Sequence, residues 1–380
     1  MKRRVAKQTV FTLLLVGLVI IIILAGCGAP ASPSPTPQTP APAPSPAAKP
    51  IELRVATHFP GPSAMAKSLD AFGKEIEKRS NGKIKINFFP GEALLPAVNM
   101  VDGVAKGLSD IGYCVLSYTP GRFSVTEADT AVLGRPTAWI STHVVSDFQA
   151  KFKPKEWDPF HVLFINANPP TGIYSKTPIR TLEDLKGKKL RCQGREAEIG
   201  KLLGAETMAT PSPETYDALS KGVLEGAIYP FEAARTFRVA DATKYFTTSW
   251  QALTGATFVV FMNLDAWNKL PGDMKSIFDQ VSDEWIEKSA IAWNDQDIAG
   301  YNYCKEKGLE IIDLSADEAA RWQQAASPIT DKYIKDMVGR GFAENEVKGW
   351  VDFIKEKRAY WLKKQIESGI KSPNGPKEVR

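Results

Sequence analysis

The chain has 380 residues, enough for two domains of ordinary size, and its 43% hydrophobic and 24% charged residues are typical of a globular protein. The formal net charge of +5 depends on four basic residues in the first seven positions, without which 44 basic residues face 43 acidic ones. The composition therefore shows no basic surplus and argues against nucleic acid as a partner.

The first 50 residues predict a targeting segment and a spacer. A basic start precedes an apolar run over residues 10–24, and Ala25-Gly26 precedes Cys27. This pattern is typical of a bacterial lipoprotein signal peptide over residues 1–26, with lipid attached at Cys27; a plain transmembrane anchor is the alternative. Residues 27–50 are rich in proline and predict an extended spacer. We expect an extracytoplasmic protein that is held at a membrane by lipid alone.

The next segment predicts a parallel sheet. Alternating apolar residues predict strands over residues 51–57 and 83–89, and a third strand is predicted over 110–116. Two helical segments separate them, the first beginning near Ser63 and the second ending at Gly107. A β-α-β-α-β order with short links favours parallel pairing. Apolar runs predict two further strands, over 162–166 and 258–262.

The segment from Leu182 to Glu232 predicts strand, helix, strand and helix. A short strand, Lys189–Cys192, carries Arg191 at its end, and a helix over 197–203 ends at Gly204. Residues 210–213 are expected to be extended, a second helix over 214–222 is expected to be N-capped by Ser212, and a strand is predicted over 224–229. Arg191 lies where open α/β sheets have their crevices, and a guanidinium can hold a carboxylate with two parallel hydrogen bonds. The alternative is a surface arginine paired with Glu196 or Glu198.

The C-terminal part predicts mainly helices. Residues 274–307 lack proline and show apolar residues at helical spacing, which indicates one long helix. A short strand over 308–313 and a capping box at Ser315–Glu318 follow. Helices are expected to continue to about residue 370, and residues 371–380 are expected to be a frayed tail.

No catalytic motif is found. The sequence contains no G-x-S-x-G, H-E-x-x-H, P-loop or G-x-G-x-x-G pattern, and its histidines are scattered at positions 58, 143 and 161. The spacing of Cys114, Cys192 and Cys304 fits no metal or redox motif. We therefore expect no enzyme, no catalytic residues and no cofactor.

The run LEDLKGKKLR…LGA…ETYDALSKGVLEGAIYP resembles the core signature of the extracytoplasmic solute-binding proteins of TRAP transporters, a family named for C4-dicarboxylate uptake. GKIKINFFPGEAL, GLSDIGY and VVFMNLDAWNKLP extend the resemblance over about residues 51–340. It implies an α/β fold of the two-domain periplasmic binding protein-like kind (type II-like), with mainly parallel sheets and a long domain-spanning helix. The expected parts are domain I (51–168 with 256–294), domain II (169–255 with 295–330), and C-terminal helices and tail (331–380).

The resemblance also implies a function. Arg191 matches the arginine that holds the ligand carboxylate, and the loaded protein is expected to dock on TRAP membrane permease subunits. Ile228 stands where metal-binding members carry an acidic residue, so no metal is expected. Thr171 stands where many members have a second arginine, which weakens the case for a dicarboxylate.

Further ligand contacts are expected at His58, Tyr229, Trp250, Thr171 and Glu232. Aromatic residues could line a pocket for an apolar or aromatic monocarboxylate, or they could be ordinary core; they are Tyr229, Phe231, Trp250 and Trp139. His58 either contacts the ligand or supports the loop around it. Glu232 either accepts a hydrogen bond from a ligand hydroxyl or pairs with Arg235.

Two other functions are compatible with these residues. One is a binding lipoprotein that serves an ABC importer or a sensor. The other is an extracytoplasmic enzyme that acts on carboxylates, because the separation of any pair of carboxyl groups cannot be read from a sequence.

Overall fold

Two β-sheets carry the fold. This computed structural model describes residues 49–380, which form one compact body. The predicted signal peptide, the lipidation site Cys27 and nearly all of the proline-rich spacer lie outside the described residues. The strands are β1 (Ile51–Thr57), β2 (Ile84–Phe89), β3 (Ile111–Val115), β4 (Phe160–Ala167), β5 (Gly172–Ser175), β6 (Lys189–Arg191), β7 (Glu206–Met208), β8 (Gly226–Tyr229), β9 (Tyr245–Thr248), β10 (Thr257–Asn263) and β11 (Glu310–Asp313).

The helices cover both sheets and form the C-terminal part. They are α1 (Ala64–Arg79), α2 (Met100–Ala105), α3 (Ala138–Phe152), α4 (Leu182–Leu185), α5 (Arg195–Leu202), α6 (Thr215–Ser220), α7 (Ala233–Thr236), α8 (Leu264–Lys269), α9 (Gly272–Glu306), α10 (Ala316–Ala326), α11 (Pro328–Gly339) and α12 (Glu344–Ser368). Helix α1 begins as predicted, because the Ser63 hydroxyl accepts a hydrogen bond from the Ala66 backbone, and its predicted apolar face, Leu69, Phe72 and Ile76, is buried.

The strand order is β2-β1-β3-β10-β4 in the first sheet and β11-β9-β5-β8-β6-β7 in the second. β1 pairs in parallel with β2 and β3, as the β-α-β-α-β order predicted. One strand in each sheet, β10 in the first and β5 in the second, runs antiparallel to both of its neighbours. The other strands of each sheet share one direction. The predicted α/β class with mainly parallel sheets is confirmed.

The chain passes between the sheets at two crossing segments, residues 168–171 and 249–256. Helix α9 makes a third connection, because it packs on α1, α3 and β4 beside the first sheet and on α7 and β11 beside the second. The predicted long helix is therefore confirmed. We call each sheet with its helices a lobe; the residue bounds of the two domains stay a prediction.

The end of the chain corrects the expectation of a frayed tail. Ser372, Asn374 and Val379 are buried. The Asn374 amide donates to the Pro170 carbonyl at 3.3 Å, and the Asn294 amide in α9 donates to the Lys371 carbonyl. Residues 371–380 therefore pack on the first crossing segment.

Two smaller differences concern local structure. Strand β7 was not predicted, because it has only three residues, lies at the edge of the second sheet and shows no alternation of buried and exposed residues. Strand β10 ends at Asn263, and helix α8, which was not predicted, begins directly after it. None of the helices within residues 49–380 combines the length and the apolar character that a membrane crossing requires.

Candidate functional site

A cavity lies between the lobes, at the carboxyl ends of several strands. His58 follows β1, Ser117 follows β3, Arg191 ends β6 and Tyr229 ends β8, and all four line it. Crevices outside the carboxyl ends of such strands are the usual ligand sites of open α/β sheets. The cavity contains about 640 Å³ of empty space, part of which is open to solvent.

Arg191 is the charged residue at the centre of this site. It is 4% exposed, its Nε donates to the Thr210 carbonyl at 2.9 Å, and its Nη2 donates to the Ser212 hydroxyl at 3.2 Å. Its guanidinium carbon lies 4.2 Å from the centroid of the Tyr229 ring. No carboxylate within residues 49–380 forms an ion pair with it. The alternative of a surface arginine paired with Glu196 or Glu198 is therefore wrong.

Ser212 joins the two sides of the cavity. Its hydroxyl accepts from the hydroxyls of Tyr118, at 3.1 Å, and Tyr229, at 2.9 Å. Tyr118 follows β3 in the first lobe, whereas Tyr229 belongs to the second. Ser212 was predicted to cap the following helix, but α6 has no side-chain cap and the Ser212 hydroxyl is used here instead. Burial raises the pKa of Tyr229 to about 12, so its hydroxyl stays neutral.

His58 is 2% exposed and lies among aromatic rings. Its ring centroid is 5.5 Å from that of Tyr118 and 6.5 Å from that of Phe258. Burial lowers the pKa of the imidazole to about 3, and the charge of Arg191 acts in the same direction. The neutral ring has no hydrogen-bond partner at Nδ1 within residues 49–380.

Glu232 lines the cavity beside helix α9. It is 5% exposed, and burial raises the pKa of its carboxyl to about 7, while the nearby Thr236 hydroxyl lowers it slightly. Its backbone N–H donates to Oδ1 of buried Asp297 at 3.3 Å. A methyl group at Gly300 would lie 2.0 Å from the Phe231 carbonyl oxygen, so only glycine permits this approach of α9. Helix α9 thus holds the segment that carries Glu232, and no ion pair joins Glu232 to Arg235.

Glu232 should make stability depend on pH. A buried carboxyl with a raised pKa is held neutral in the folded state, while the unfolded chain ionises near the ordinary value of 4.5. The stability of the native protein relative to Glu232→Gln should therefore fall by up to about 3 kcal/mol as the pH rises from about 4.5 to about 7, and level off above that. Denaturant unfolding of both proteins at several pH values measures this difference.

Glu225→Gln is the matched control for that measurement. The Lys189 backbone and Lys188 lower the pKa of Glu225, so its contribution has the opposite sign. If the difference in the free energy of unfolding between the native protein and Glu232→Gln does not change between pH 4.5 and pH 8, the inference that Glu232 is buried and neutral is wrong.

Thr171 lies beside the cavity, but its hydroxyl already has a partner. It donates to Oε1 of buried Glu196, which also accepts from the Gly255 backbone at 2.9 Å. Thr171 belongs to the first crossing segment and Gly255 to the second. Glu196, which lies in α5, therefore binds both crossing segments to this helix. The role of Thr171 as a ligand contact stays a prediction.

The sequence analysis missed a second arginine. Arg195, the first residue of α5, lines the cavity, and its Nε donates to the Thr130 hydroxyl of the first lobe at 3.3 Å. Its Nη1 lies 4.0 Å from Glu198, and its charge lowers the pKa of Glu127, which burial raises to about 7. Arg195 thus has a carboxylate at 4.0 Å, whereas Arg191 acts on the nearby Glu196 through its charge and forms no ion pair with it. The position of Arg195 at the end of the β6–α5 turn was the signal available in the sequence.

The predicted aromatic lining is partly wrong. Trp250 faces a separate depression with Asp313 and Arg380. Trp139 is buried and donates to Glu287 at 3.0 Å, and the Phe231 ring stacks on Phe246 at 3.9 Å. The aromatic rings that line the cavity besides His58 and Tyr229 are those of Phe59, Phe237, Phe258 and Trp293.

The three cysteines in residues 49–380 are buried and unpaired. Burial raises the pKa of Cys114 to about 12 and of Cys304 to about 11, so both stay thiols. Within the same residues no group of three or more His, Cys, Asp or Glu is placed to hold a metal ion. The absence of metal and cofactor stays a prediction.

Two α/β lobes are joined by crossing segments, and a cavity lies between them at the ends of their strands. This is the arrangement of a two-domain solute-binding protein. The sequence model of the bacterial extracellular solute-binding proteins, family 7 (DctP), matches residues 56–336. The chain belongs to this family, that of the TRAP solute-binding proteins.

Known proteins of this kind resemble the chain along most of its length. A solute-binding protein of Albidiferax ferrireducens is 28% identical over 293 residues, which cover 72% of this chain and 84% of the relative. A marine metagenome TRAP solute-binding protein specific for aromatic acid ligands, solved with metahydroxyphenylacetate, matches with a TM-score of 0.77 and 25% identity, over 81% of this chain and 99% of that one. A TRAP solute-binding protein of Rhodoferax ferrireducens, solved with copurified benzoate, matches with a TM-score of 0.76 and 25% identity, over 82% and 99%.

Proposed function

We propose that the protein captures one small organic acid outside the cytoplasm, holds its carboxylate on Arg191, and delivers it to the membrane permease subunits of a TRAP transporter. Cys27 carries the lipid that keeps it at the membrane. The protein has no catalytic role in this proposal, and it needs neither metal nor cofactor.

The observation that carries the proposal is the buried guanidinium of Arg191. A buried charge is costly unless it is paired, and no acidic side chain within residues 49–380 pairs with this one. A ligand carboxylate would supply the missing charge with two parallel hydrogen bonds. Arg195 already has Glu198 and Glu127 nearby, so one carboxylate is the better match to the site.

The walls of the cavity favour an apolar or aromatic body on that acid. Phe59, Phe258 and Trp293 line one side, and Tyr229 and Phe237 line the other. The Trp293 indole donates to Asn166 at 3.0 Å, so its polar edge is satisfied by the protein and its ring face is apolar surface. The two solved relatives that carry aromatic acids support this choice.

Closure of the lobes would exclude water from the ligand. The contacts made by Tyr118 with Ser212 and by Thr130 with Arg195 join the lobes directly across the cavity. The chain passes between the lobes at the two crossing segments, along α9, and between α10, which packs on α4 and α5, and α12, which packs on α3. A hinge motion would be absorbed at these places.

A panel of acids tests the proposal. Residues 51–380 should melt at a higher temperature with aromatic monocarboxylates than with C4-dicarboxylates, 2-oxo acids or sugar acids at equal concentration. A ligand at 100 times its dissociation constant adds about 2.7 kcal/mol to the stability, which a melting curve resolves. If only dicarboxylates stabilise the protein, the single-carboxylate site is wrong; if no acid does, the binding function on Arg191 is wrong.

Delivery to a permease needs its own test. The lipidated full-length protein, loaded with the acid found above, should stimulate uptake by TRAP permease subunits reconstituted in vesicles. Uptake supported instead by an ABC importer would assign the protein to the alternative transport class. Chemical conversion of the bound acid by the purified protein would assign it to the enzymes.

A further inference from the structure

Two buried side chains line the cavity with hydrogen-bonding capacity that the described residues use only in part. The first is His58, whose Nδ1 is buried and has no partner within residues 49–380. The nearby backbone of Tyr113 raises the pKa of the ring, which is the effect of a carbonyl oxygen that faces a ring N–H. A neutral imidazole carries one N–H, so with that proton directed at Tyr113 the Nδ1 atom is left as an acceptor.

The second is the carboxyl group of Glu232. Its pKa is raised to about 7, so the carboxyl keeps a carbonyl oxygen as an acceptor when it is protonated and accepts at both oxygens when it is ionised. Within residues 49–380 the Thr236 hydroxyl is the neighbour whose hydrogen bond lowers this pKa. Glu232 forms no ion pair within residues 49–380 and is 5% exposed. A buried acceptor that lacks a donor is unfavourable, which makes it selective for a ligand that supplies one.

Most hydroxyl groups of the cavity lie within hydrogen-bond distance of a protein acceptor, and the cations that face it are Arg191 and Arg195. Nη1 of Arg195 has no hydrogen-bond partner within residues 49–380. The hydroxyls of Tyr118 and Tyr229 both point to Ser212 in hydrogen bonds, and Thr171 donates to Glu196. Arg191 remains for the carboxylate. A plain acid such as benzoate would satisfy Arg191 but would leave both His58 and Glu232 without donors.

We propose that the ligand is a hydroxylated carboxylic acid, with its carboxylate on Arg191 and a hydroxyl group that donates to Glu232 or to Nδ1 of His58. This inference rests on the proposed function and narrows its substrate class. A hydroxyl fits better than an ammonium group, because a cation would enter a cavity that two guanidiniums, Arg191 and Arg195, already share. Glu232 and His58 are then the residues that determine specificity.

Matched acids test the inference with the wild-type protein alone. Phenylacetate, mandelate and phenylglycine differ only in a hydrogen, a hydroxyl or an ammonium group at one carbon, and benzoate can be paired with 3-hydroxybenzoate and 4-hydroxybenzoate. Calorimetry should show at least one hydroxylated acid binding about tenfold or more tightly than its parent, the usual effect of one hydrogen bond to a charged or buried group. Phenylglycine should bind less tightly than mandelate.

Variants locate the hydroxyl contact. Glu232→Met should lower the affinity for the hydroxylated acid by about tenfold or more and leave the affinity for the parent acid nearly unchanged, since the parent makes no bond to the carboxyl. His58→Leu tests the second acceptor in the same way. Glu225→Gln is the control. It removes a carboxylate that lies outside the cavity and pairs with Lys188, so it should change neither affinity.

The outcomes separate the inference from the proposed function. Equal affinity for parent and hydroxylated acids in every matched set would overturn the hydroxyl contact while leaving the carboxylate site on Arg191 in place. Tighter binding of phenylglycine than of mandelate would overturn the choice of a hydroxyl over a cation. If no acid of any set binds, the proposed function itself fails. If Glu232→Met does not fold, the wild-type comparison of matched acids still decides the matter.

Discussion

Replacing Arg191 by alanine should abolish capture of the acid. The guanidinium is buried and forms no ion pair with an acidic side chain within residues 49–380, so the bound carboxylate would lose the cation that holds it. Truncating one partner of a buried, hydrogen-bonded charge pair costs about 2–5 kcal/mol, or roughly 30-fold to several thousand-fold in affinity. Calorimetric titration of wild type and Arg191→Ala with the best acid of the panel measures the loss.

Two further variants control for effects on folding. Arg191→Lys keeps the charge but loses the planar pair of donors, so it should retain part of the affinity. Arg180→Ala removes an exposed arginine that pairs with Glu310 in the same lobe, and it should bind as wild type does. An Arg191→Ala protein that melts normally and binds the acid with unchanged affinity would show that the carboxylate lies elsewhere.

Replacing Asp129 by asparagine should destabilise the whole protein. Asp129 is 2% exposed and pairs with Arg135 at 2.6 Å and with Arg358 at 2.6 Å. Burial alone would raise the pKa of Asp129, but the two arginines lower it below its ordinary value. Breaking a buried ion pair by removing one partner costs about 3–5 kcal/mol, and here two buried cations lose the same anion. Urea unfolding should show a loss of at least this size.

An exposed pair provides the comparison. Asp336 pairs with Lys332 on the surface of α11, so Asp336→Asn should cost less than about 1 kcal/mol. The pH dependence has a defined sign: the pKa of Asp129 is lowered, so its contribution is present at neutral pH and is lost as the pH falls into the acid range. Equal stability of the two variants would show that Arg135 and Arg358 do not depend on Asp129.

Arg135 also links its partner Asp129, and through it Arg358, to the second crossing segment. Its Nη1 donates to the carbonyls of Thr254 and Ala256, both in the second crossing segment, at 3.1 and 3.2 Å. Arg358 lies on α12, so the C-terminal helix is connected through Asp129 to the chain between the lobes. The C-terminal helix α12 is therefore joined to the second crossing segment, although none of its residues lines the cavity.

The features that could be predicted were those that local chemistry determines. Strands β1 and β2 showed an alternating pattern, Ser63 had the type and position of an N-cap, and α9 had a long run without proline. Arg191 was found because its place at the end of a short strand, together with the family resemblance, restricted the position of its side chain. In the structure it ends β6 and lines the cavity.

The errors concern residues whose position depends on distant parts of the chain. Trp250 was expected among the aromatic residues that line the cavity, but the second crossing segment places it beside Asp313 and Arg380. Phe258 and Trp293 line the cavity although they lie far along the chain from Arg191, and nothing local distinguishes them from ordinary core aromatics. Residues 371–380 looked like a free end because the carbonyl of Pro170, to which they bind, lies about 200 positions earlier.

The place of β10 has a consequence for how the protein folds. β10 occupies the interior of the first sheet, between β3 and β4, yet it follows both of them in sequence and comes after strands β5 to β9 of the other lobe. Until it is in place, β3 and β4 each lack a neighbour, and contacts of such long sequence separation form slowly. Unpaired strand edges are prone to aggregate. The first lobe should therefore be the last to become protected against hydrogen exchange during refolding, even though most of it is encoded first.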